Sequence, residues 1–287
     1  MLKNYKQGVI SILVPTRNRP KNVINLINSA KNTADNPSKI EFVFYVDCDD
    51  KSFPQLEEWD TIKVIHGPRM WLSVIQNVLY ANACGEILMY AADDIEFCTK
   101  SWDSIILQEF EKIDDKILLV FGNDLGSHGS SIAIHGFLHR KWVETIGTFA
   151  APFRLSLTDL WHTENAKKLN RICYLPDLII KHIHYRQGEK SADFDSTYQN
   201  VYLQSSAWRP KVTYRKLERE RRIDRILLAE AMTVNPKKEI RYFLGEVISG
   251  LSKKFNLTEV EVRRLKSSSN IKILLILIKK SLKKRGV

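Results

Sequence analysis

At 287 residues, 44% hydrophobic and 27% charged, the chain has room for one large folded domain with an appendage, and its composition excludes a disordered or fibrous protein. The longest uninterrupted apolar run, Ile273 to Ile278, is far short of the roughly 20 residues of a membrane span. The start lacks the basic, apolar, small-residue order of a secretory signal, so a cytoplasmic protein is expected.

The net charge of +11 is unevenly placed: from Ser205 onward there are 22 Lys+Arg against 8 Asp+Glu, or +14, whereas residues 1–204 carry 22 against 25, or −3. That asymmetry suggests a catalytic unit over 1–204 and a basic unit over 205–287 with an anionic partner. Cys48, Cys84, Cys98 and Cys173 form no CxxC pair. Their spacing suits neither a zinc knuckle nor a disulfide framework, and predicts reduced thiols in or near the core.

The first strand runs Val9 to Val14, β-branched and apolar on both faces, and stops at Pro15. The polar turn Thr16-Arg17-Asn18-Arg19-Pro20 leads into a helix with Val23, Leu26, Ile27 and Ala30 at helical spacing. A second strand, Ile40 to Val46, enters the acidic turn Asp47-Cys48-Asp49-Asp50. A third, Ile62 to Ile65, ends at His66-Gly67-Pro68. A helix marked by Val74, Val78 and Ala81 stops near Gly85, and the strand Ile87 to Ala91 runs into Ala92-Asp93-Asp94.

The second half predicts strands over Ile117–Phe121 and Ser131–Leu138 and a helix over Leu160–Leu169. A last strand, Leu178 to His184, sets His182 and His184 on one face by its two-residue period. Beyond Trp208-Arg209-Pro210 the pattern is helical, over Leu217–Met232, Lys237–Phe255, Thr258–Lys266 and Asn270–Lys284.

Strands alternating with helices predict an α/β fold with a mostly parallel sheet. Polar residues collect beyond the strand ends: Thr16 and Arg17, Asp47, Asp49 and Asp50, Arg69, Asp93 and Asp94. Open α/β sheets bind ligands there. No GxxxxGK[ST] occurs and no glycine-rich turn follows the first strand, so a bound diphosphate would need a metal ion and basic side chains. Asp93 and Asp94 supply hard oxygen ligands suited to Mg²⁺ or Mn²⁺. Trp71, Trp142 and Trp161 read as core residues, and His135 and His139 as structural.

Ser11-Ile12-Leu13-Val14-Pro15-Thr16-Arg17-Asn18-Arg19 resembles the S-V-V-I-P-T-y-N-R opening of glycosyltransferase family 2, and Gly85 to Asp94 is similar to its G-e-y-i-l-f-l-D-d-D segment. Asp93-Asp94-Ile95-Glu96-Phe97-Cys98-Thr99-Lys100-Ser101-Trp102-Asp103 resembles a D-D-I-x-F-x-T-x-G-W-D variant of some bacterial and phage members. The resemblance spans about residues 9–200. It implies a GT-A fold, a Rossmann-like mixed sheet, followed by a basic helical C-terminal appendage. It further implies a metal-dependent, inverting transfer of a sugar from a nucleoside-diphosphate sugar to an acceptor hydroxyl.

In that reading Pro15, Thr16 and Arg17 line the nucleotide pocket and Asp47 bonds the base or ribose. Arg69 and Asn77 lie near the diphosphate or ribose. Asp94, with Asp93 beside it and His182 or His184 completing the set, holds Mn²⁺ or Mg²⁺. Asp159 is the general base; read from the residues alone it could equally open a helix. Three positions depart from the pattern: Ala92 replaces the first Asp of the D-x-D motif, Thr158 the acid before the base, and Ser101 the glycine of the variant.

The acceptor stays open between a surface glycan or its lipid-linked precursor and a hydroxylated base in nucleic acid. The rival from another class is a non-catalytic nucleotide-sugar- or nucleic-acid-binding protein with a degenerate site. The basic C-terminal helices suit self-association or docking on the protein's own body, an anionic membrane surface, or nucleic-acid phosphates.

Overall fold

The computed structural model describes residues 5–54, 56, 60–150, 157–183, 214 and 217–232. The helices expected beyond Met232, together with His184 and Trp208, lie outside the described residues. Through the first half the chain alternates as its periodicity dictates: β1 (Lys6–Thr16), α1 (Pro20–Thr33), β2 (Ile40–Asp47), β3 (Ile62–Gly67), α2 (Leu72–Asn82) and β4 (Gly85–Tyr90). Every residue of β2 is buried, as is the run Val9–Val14 in β1, because helices cover both faces of a parallel sheet. Pro20 opens α1 at a position where its missing N–H costs no hydrogen bond.

The second half adds β5 (Ile95–Phe97), α3 (Trp102–Glu111), β6 (Leu119–Asn123), β7 (Gly136–His139), α4 (Arg140–Ile146), α5 (Thr158–Lys168), β8 (Ile172–His182) and α6 (Glu218–Ala231). The eight strands form one mixed sheet in the order β3-β2-β1-β4-β7-β6-β8-β5. The block β3-β2-β1-β4 is parallel, and β7 is antiparallel to both of its neighbours. The chain steps outward from β1 to β3, then returns to the other side of β1 as β4. The carboxyl ends of β1 and β4 thus flank a topological switch point, where open α/β sheets form their ligand crevice.

β8 changes partner along its length. Ile172 to Leu175 pair with β6, whereas Ile180 to His182 pair antiparallel with β5. The switch falls at a register shift beside Gly122, where a Cβ would stand 2.3 Å from the Leu178 carbonyl oxygen. The change sets His182 opposite Ile95, one residue beyond Asp94.

The strand expected over Ser131–Leu138 is shorter, beginning at Gly136. Before it, the Ala133 N–H donates to Thr163 Oγ1 and the Ala133 carbonyl accepts from Tyr90 Oη, so side chains hold backbone groups that a longer ladder would use. Of the cysteines, Cys84 and Cys173 are half-buried but Cys48 and Cys98 are exposed; all four are free.

The stretch that resembles the W-D variant is an anchor. Ser101 adopts a left-handed φ of 59°, at the position where the pattern has glycine. Trp102 is fully buried and donates through Nε1 to the Ala30 carbonyl (2.9 Å). The Asp103 carboxylate accepts from the Asp35 and Asn36 N–H groups. Trp102→Ala is expected to cost about 3–5 kcal/mol, the usual range for a buried tryptophan, read as a shift in the urea midpoint.

α6 packs against α4 and α5. Arg221 lies 3.7 Å from the Tyr214 ring centroid and 5.4 Å from that of Trp161. Trp161 Nε1 donates to Asp224 Oδ2 (2.9 Å), and Arg225 donates to Asn165 Oδ1 (3.0 Å). Tyr214, Arg221 and Arg225 are therefore internal, and they do not belong to a polyanion-binding face as their place in the basic segment suggested. Ending the chain at residue 204 should lower the thermal midpoint or yield insoluble protein, because Trp161 loses its cover; ending it after Met232 keeps α6 and should not. Scanning calorimetry of the two truncations decides.

Candidate active site

At the carboxyl end of β1 the chain turns sharply, with Asn18 at φ 55°, a left-handed conformation that asparagine tolerates. The Asn18 N–H donates to Asp50, which also accepts from the Ser52 N–H and hydroxyl. Arg17 bridges Asp47 and Asp49, donating from Nη1 to Asp47 Oδ2 (2.8 Å) and from Nη2 to Asp49 Oδ2 (2.8 Å). This raises the Arg17 pKa and lowers that of Asp49, since each partner stabilises the other's charge. Arg69 is exposed, and its charge also holds the Asp49 pKa down. Pro15 and Thr16, the last residues of β1, sit opposite Tyr45 and Val46 of β2.

Asp93 and Asp94 follow β4 in a buried turn. Both Asp93 oxygens are engaged: Oδ2 accepts from Thr16 Oγ1 (2.7 Å) and Oδ1 from Arg19 Nη1 (3.0 Å). Burial pushes the Asp93 pKa up and the neighbouring Asp94 adds to the rise, against the pull of Arg19 and Thr16. Arg19 reaches Asp94 Oδ2 at 3.6 Å. His182 Nε2 lies 3.3 Å from Asp94 Oδ1, so the register of β8 against β5 does bring the late histidine to the carboxylate. Next to this pair stands His135, 7% exposed, its ring centroid 4.8 Å from that of His182 at 87° between planes.

Asp159 occupies the first turn of α5 and is half-buried, accepting from the Leu160 N–H (2.7 Å). Desolvation pushes its pKa up to about 6. It lies close enough to Tyr90, at the end of β4, for its charge to help keep that phenol protonated. Thr158, where the resembling pattern has an acid, donates to Gln76 Oε1 (2.7 Å) and ties the start of α5 to α2.

Other expected residues stand elsewhere. The Asn77 side-chain oxygen accepts from Thr148 Oγ1 and from the Phe149 and Ala150 N–H groups, and its NH₂ donates to the Ser73 and Ala150 carbonyls. Its amide staples a loop rather than facing a ligand. His139 caps α4 and meets Glu86, in line with a structural role. Trp142 and Trp161 are core, but Trp71 is 40% exposed, because it precedes α2 at the surface. Arg19 and His135 escaped sequence reasoning. An Asn-Arg-Pro turn was a signal for the first; for the second only the three-dimensional register reveals its place.

The donor set suits a small, hard divalent cation. Asp94 and His182 offer a carboxylate oxygen and an imidazole nitrogen, and among the described residues no three such side chains form a ready-made cage. Mg²⁺ and Mn²⁺ are commonly held by one or two carboxylates with substrate phosphates and waters supplying the rest.

Residues 11–144 match the family model for Glycosyl transferase family 2. Comparison with curated protein sequences gives no match. Among solved structures, S. aureus TarS 1–349 in complex with UDP has a TM-score of 0.52 at 16% identity, over 91% of this chain and 76% of that one. The same protein in complex with UDP-GlcNAc gives 0.50 at 16% identity over the same shares. The mannosyltransferase PcManGT from Pyrobaculum calidifontis, in complex with GDP-Man and Mn²⁺, gives 0.48 at 13% identity, over 90% of this chain and 83% of that one. With the motifs at the ends of β1 and β4 inside the matched segment and a GT-A sheet beneath them, the chain carries a glycosyl transferase family 2 domain and is a glycosyltransferase.

Proposed function

We propose that the protein transfers a sugar from a nucleoside-diphosphate sugar to an acceptor hydroxyl, with inversion at the anomeric carbon. The observation that carries this reading is the gathering of Thr16, Arg17, Arg19, Asp93, Asp94 and His182 at the strand ends, with the desolvated carboxylate of Asp159 beside Tyr90. A fold like that of TarS, which was solved with UDP and with UDP-GlcNAc, supports a nucleotide donor.

Pro15, Thr16, Arg17 and Asp47 form the nucleoside side of the site, Arg17 being held ready by two carboxylates. Arg69, beyond β3, is assigned to the diphosphate for its exposed position and positive charge. Asp94 and His182 would hold the Mn²⁺ or Mg²⁺, whose chemistry is to offset the charge of the leaving diphosphate. Arg19 and Thr16 fix Asp93 beside it and oppose the rise in its pKa. Asp159 takes the proton from the acceptor hydroxyl as that oxygen bonds to the anomeric carbon and the bond to the phosphate oxygen breaks, its electron pair leaving with the nucleoside diphosphate. A single base and a single displacement invert the centre.

The test is a screen of UDP-, GDP-, CDP- and dTDP-sugars for slow hydrolysis with Mn²⁺ or Mg²⁺. Turnover of one donor is expected, and none with any donor or ion would sink the reading. The acceptor is a glycan, a lipid-linked precursor or a hydroxylated base in nucleic acid. A nucleic-acid acceptor would bind with log affinity falling linearly in log salt, by about 0.9 per duplex phosphate contact, whereas an uncharged glycan would show a flat response.

A further inference from the structure

We propose that His135 is a further nitrogen ligand of the divalent cation: the three side chains are not a ready-made cage, and its ring joins Asp94 and His182 when the cation arrives with the donor diphosphate. The inference rests on the cation reading above.

Three observations converge on this residue. Gly136 pairs antiparallel with Tyr90, so the residue before it runs alongside the stretch that carries Asp93 and Asp94. The His135 ring is buried, and neither of its nitrogens has a hydrogen-bond partner among the described residues. Its nearest ring is His182, whose own Nε2 is 3.3 Å from Asp94.

A neutral imidazole carries one N–H and one lone pair, and a fold that buries both unused bears a desolvation cost with no return. The contrast within the chain is sharp. His139, equally buried, spends one ring nitrogen on Glu86 and the other on the Lys141 N–H. Buried polar atoms without partners in a native fold point to a ligand, an ion or an internal water, and among the described residues His135 is the histidine that combines that state with a place beside the Asp94–His182 pair. A second imidazole also compensates for Ala92, which removes a carboxylate from the motif, and it tilts the site away from Mg²⁺ toward Mn²⁺.

The test uses the full chain with histidine labelled in ¹⁵N, loaded with Mn²⁺ and UDP, and in parallel with Mn²⁺ and GDP. In the His182→Gln/His184→Gln double variant, electron spin-echo modulation should still report a histidine nitrogen coupled to Mn²⁺. Adding His135→Gln should abolish it. On the wild-type background His135→Gln should weaken Mn²⁺ binding by roughly 10- to 100-fold, the scale on which metal sites respond to loss of a supporting group. Loss of all histidine coupling in the double variant, with Mn²⁺ still bound, would assign His135 to an internal water and overturn the proposal. The double variant leaves His135 untouched, so that reading does not depend on a substitution in the core. Failure of the wild-type chain to bind Mn²⁺ with either nucleotide would instead remove the cation reading itself.

Discussion

Asp159→Asn is expected to leave nucleotide affinity unchanged and to lower the transfer rate by about 10²–10⁴, the usual worth of a positioned base. The argument is electrostatic. Desolvation lifts the carboxylic acid to about 6, so at neutral pH the group is ionised yet basic enough to accept a proton from a hydroxyl as it attacks. The wild-type rate should therefore climb with pH through about 6 and level off above it. In the Asn variant that limb should vanish.

The same shift makes a stability prediction of fixed sign. A carboxyl whose folded pKa lies above its unfolded value favours the fold in its neutral form. That advantage is present below the unfolded value near 3.8 and is lost as pH rises through about 6. Asp159→Asn should thus be no less stable than wild type at pH 8, by thermal melting, while being nearly inactive. An inactive variant that melts early, or one that loses donor binding, would return Asp159 to the role of a helix-start residue.

Asp94→Ala should remove metal-dependent donor binding and lower activity by about 10²–10⁴, corresponding to the several kcal/mol that a cation contributes at a leaving phosphate. Asp94 is the carboxylate that His182 meets, whereas both oxygens of Asp93 are occupied by Thr16 and Arg19. Thermal stability should change little, because the variant also relieves the repulsion that Asp94 exerts on Asp93. Calorimetric titration of UDP and GDP with and without Mn²⁺ separates the two effects. Full activity in Asp94→Ala, or undiminished wild-type activity in excess chelator, would take the metal out of the mechanism.

Much of the crevice was legible before any coordinates. The runs Val9–Val14, Ile40–Val46 and Ile87–Ala91 are short, rich in β-branched or aromatic residues and apolar except for Ser11 and Glu41, which reads as buried strands, and the polar residues that stop them mark the strand ends. Those stops put Asp47, Asp93 and Asp94 at or just past the strand ends. Short elements were not legible: β5 is three residues long and α4 seven, too few for a period to emerge. Asn77 misled because a polar residue at a helical position near the site looks the same whether it faces a ligand or a loop. Its five hydrogen bonds to the Ser73 and Thr148–Ala150 segments exist only in the folded chain.

The sequence by itself determined the strand–helix alternation, the acidic turn after β4 and the kind of chemistry available there, because each is written in neighbouring residues. The tertiary structure alone decided which residues meet. His182 reaches Asp94 through a register shift at Gly122 and a change of partner strand 88 positions away in sequence. His135 arrives through the antiparallel pairing of β7 with β4. Tyr214 and Arg221 turn inward because Trp161 offers them a face. Strand order and register are properties of non-local pairing. A single residue of slip would turn every side chain of β8 to the other face, and the histidine away from the carboxylate.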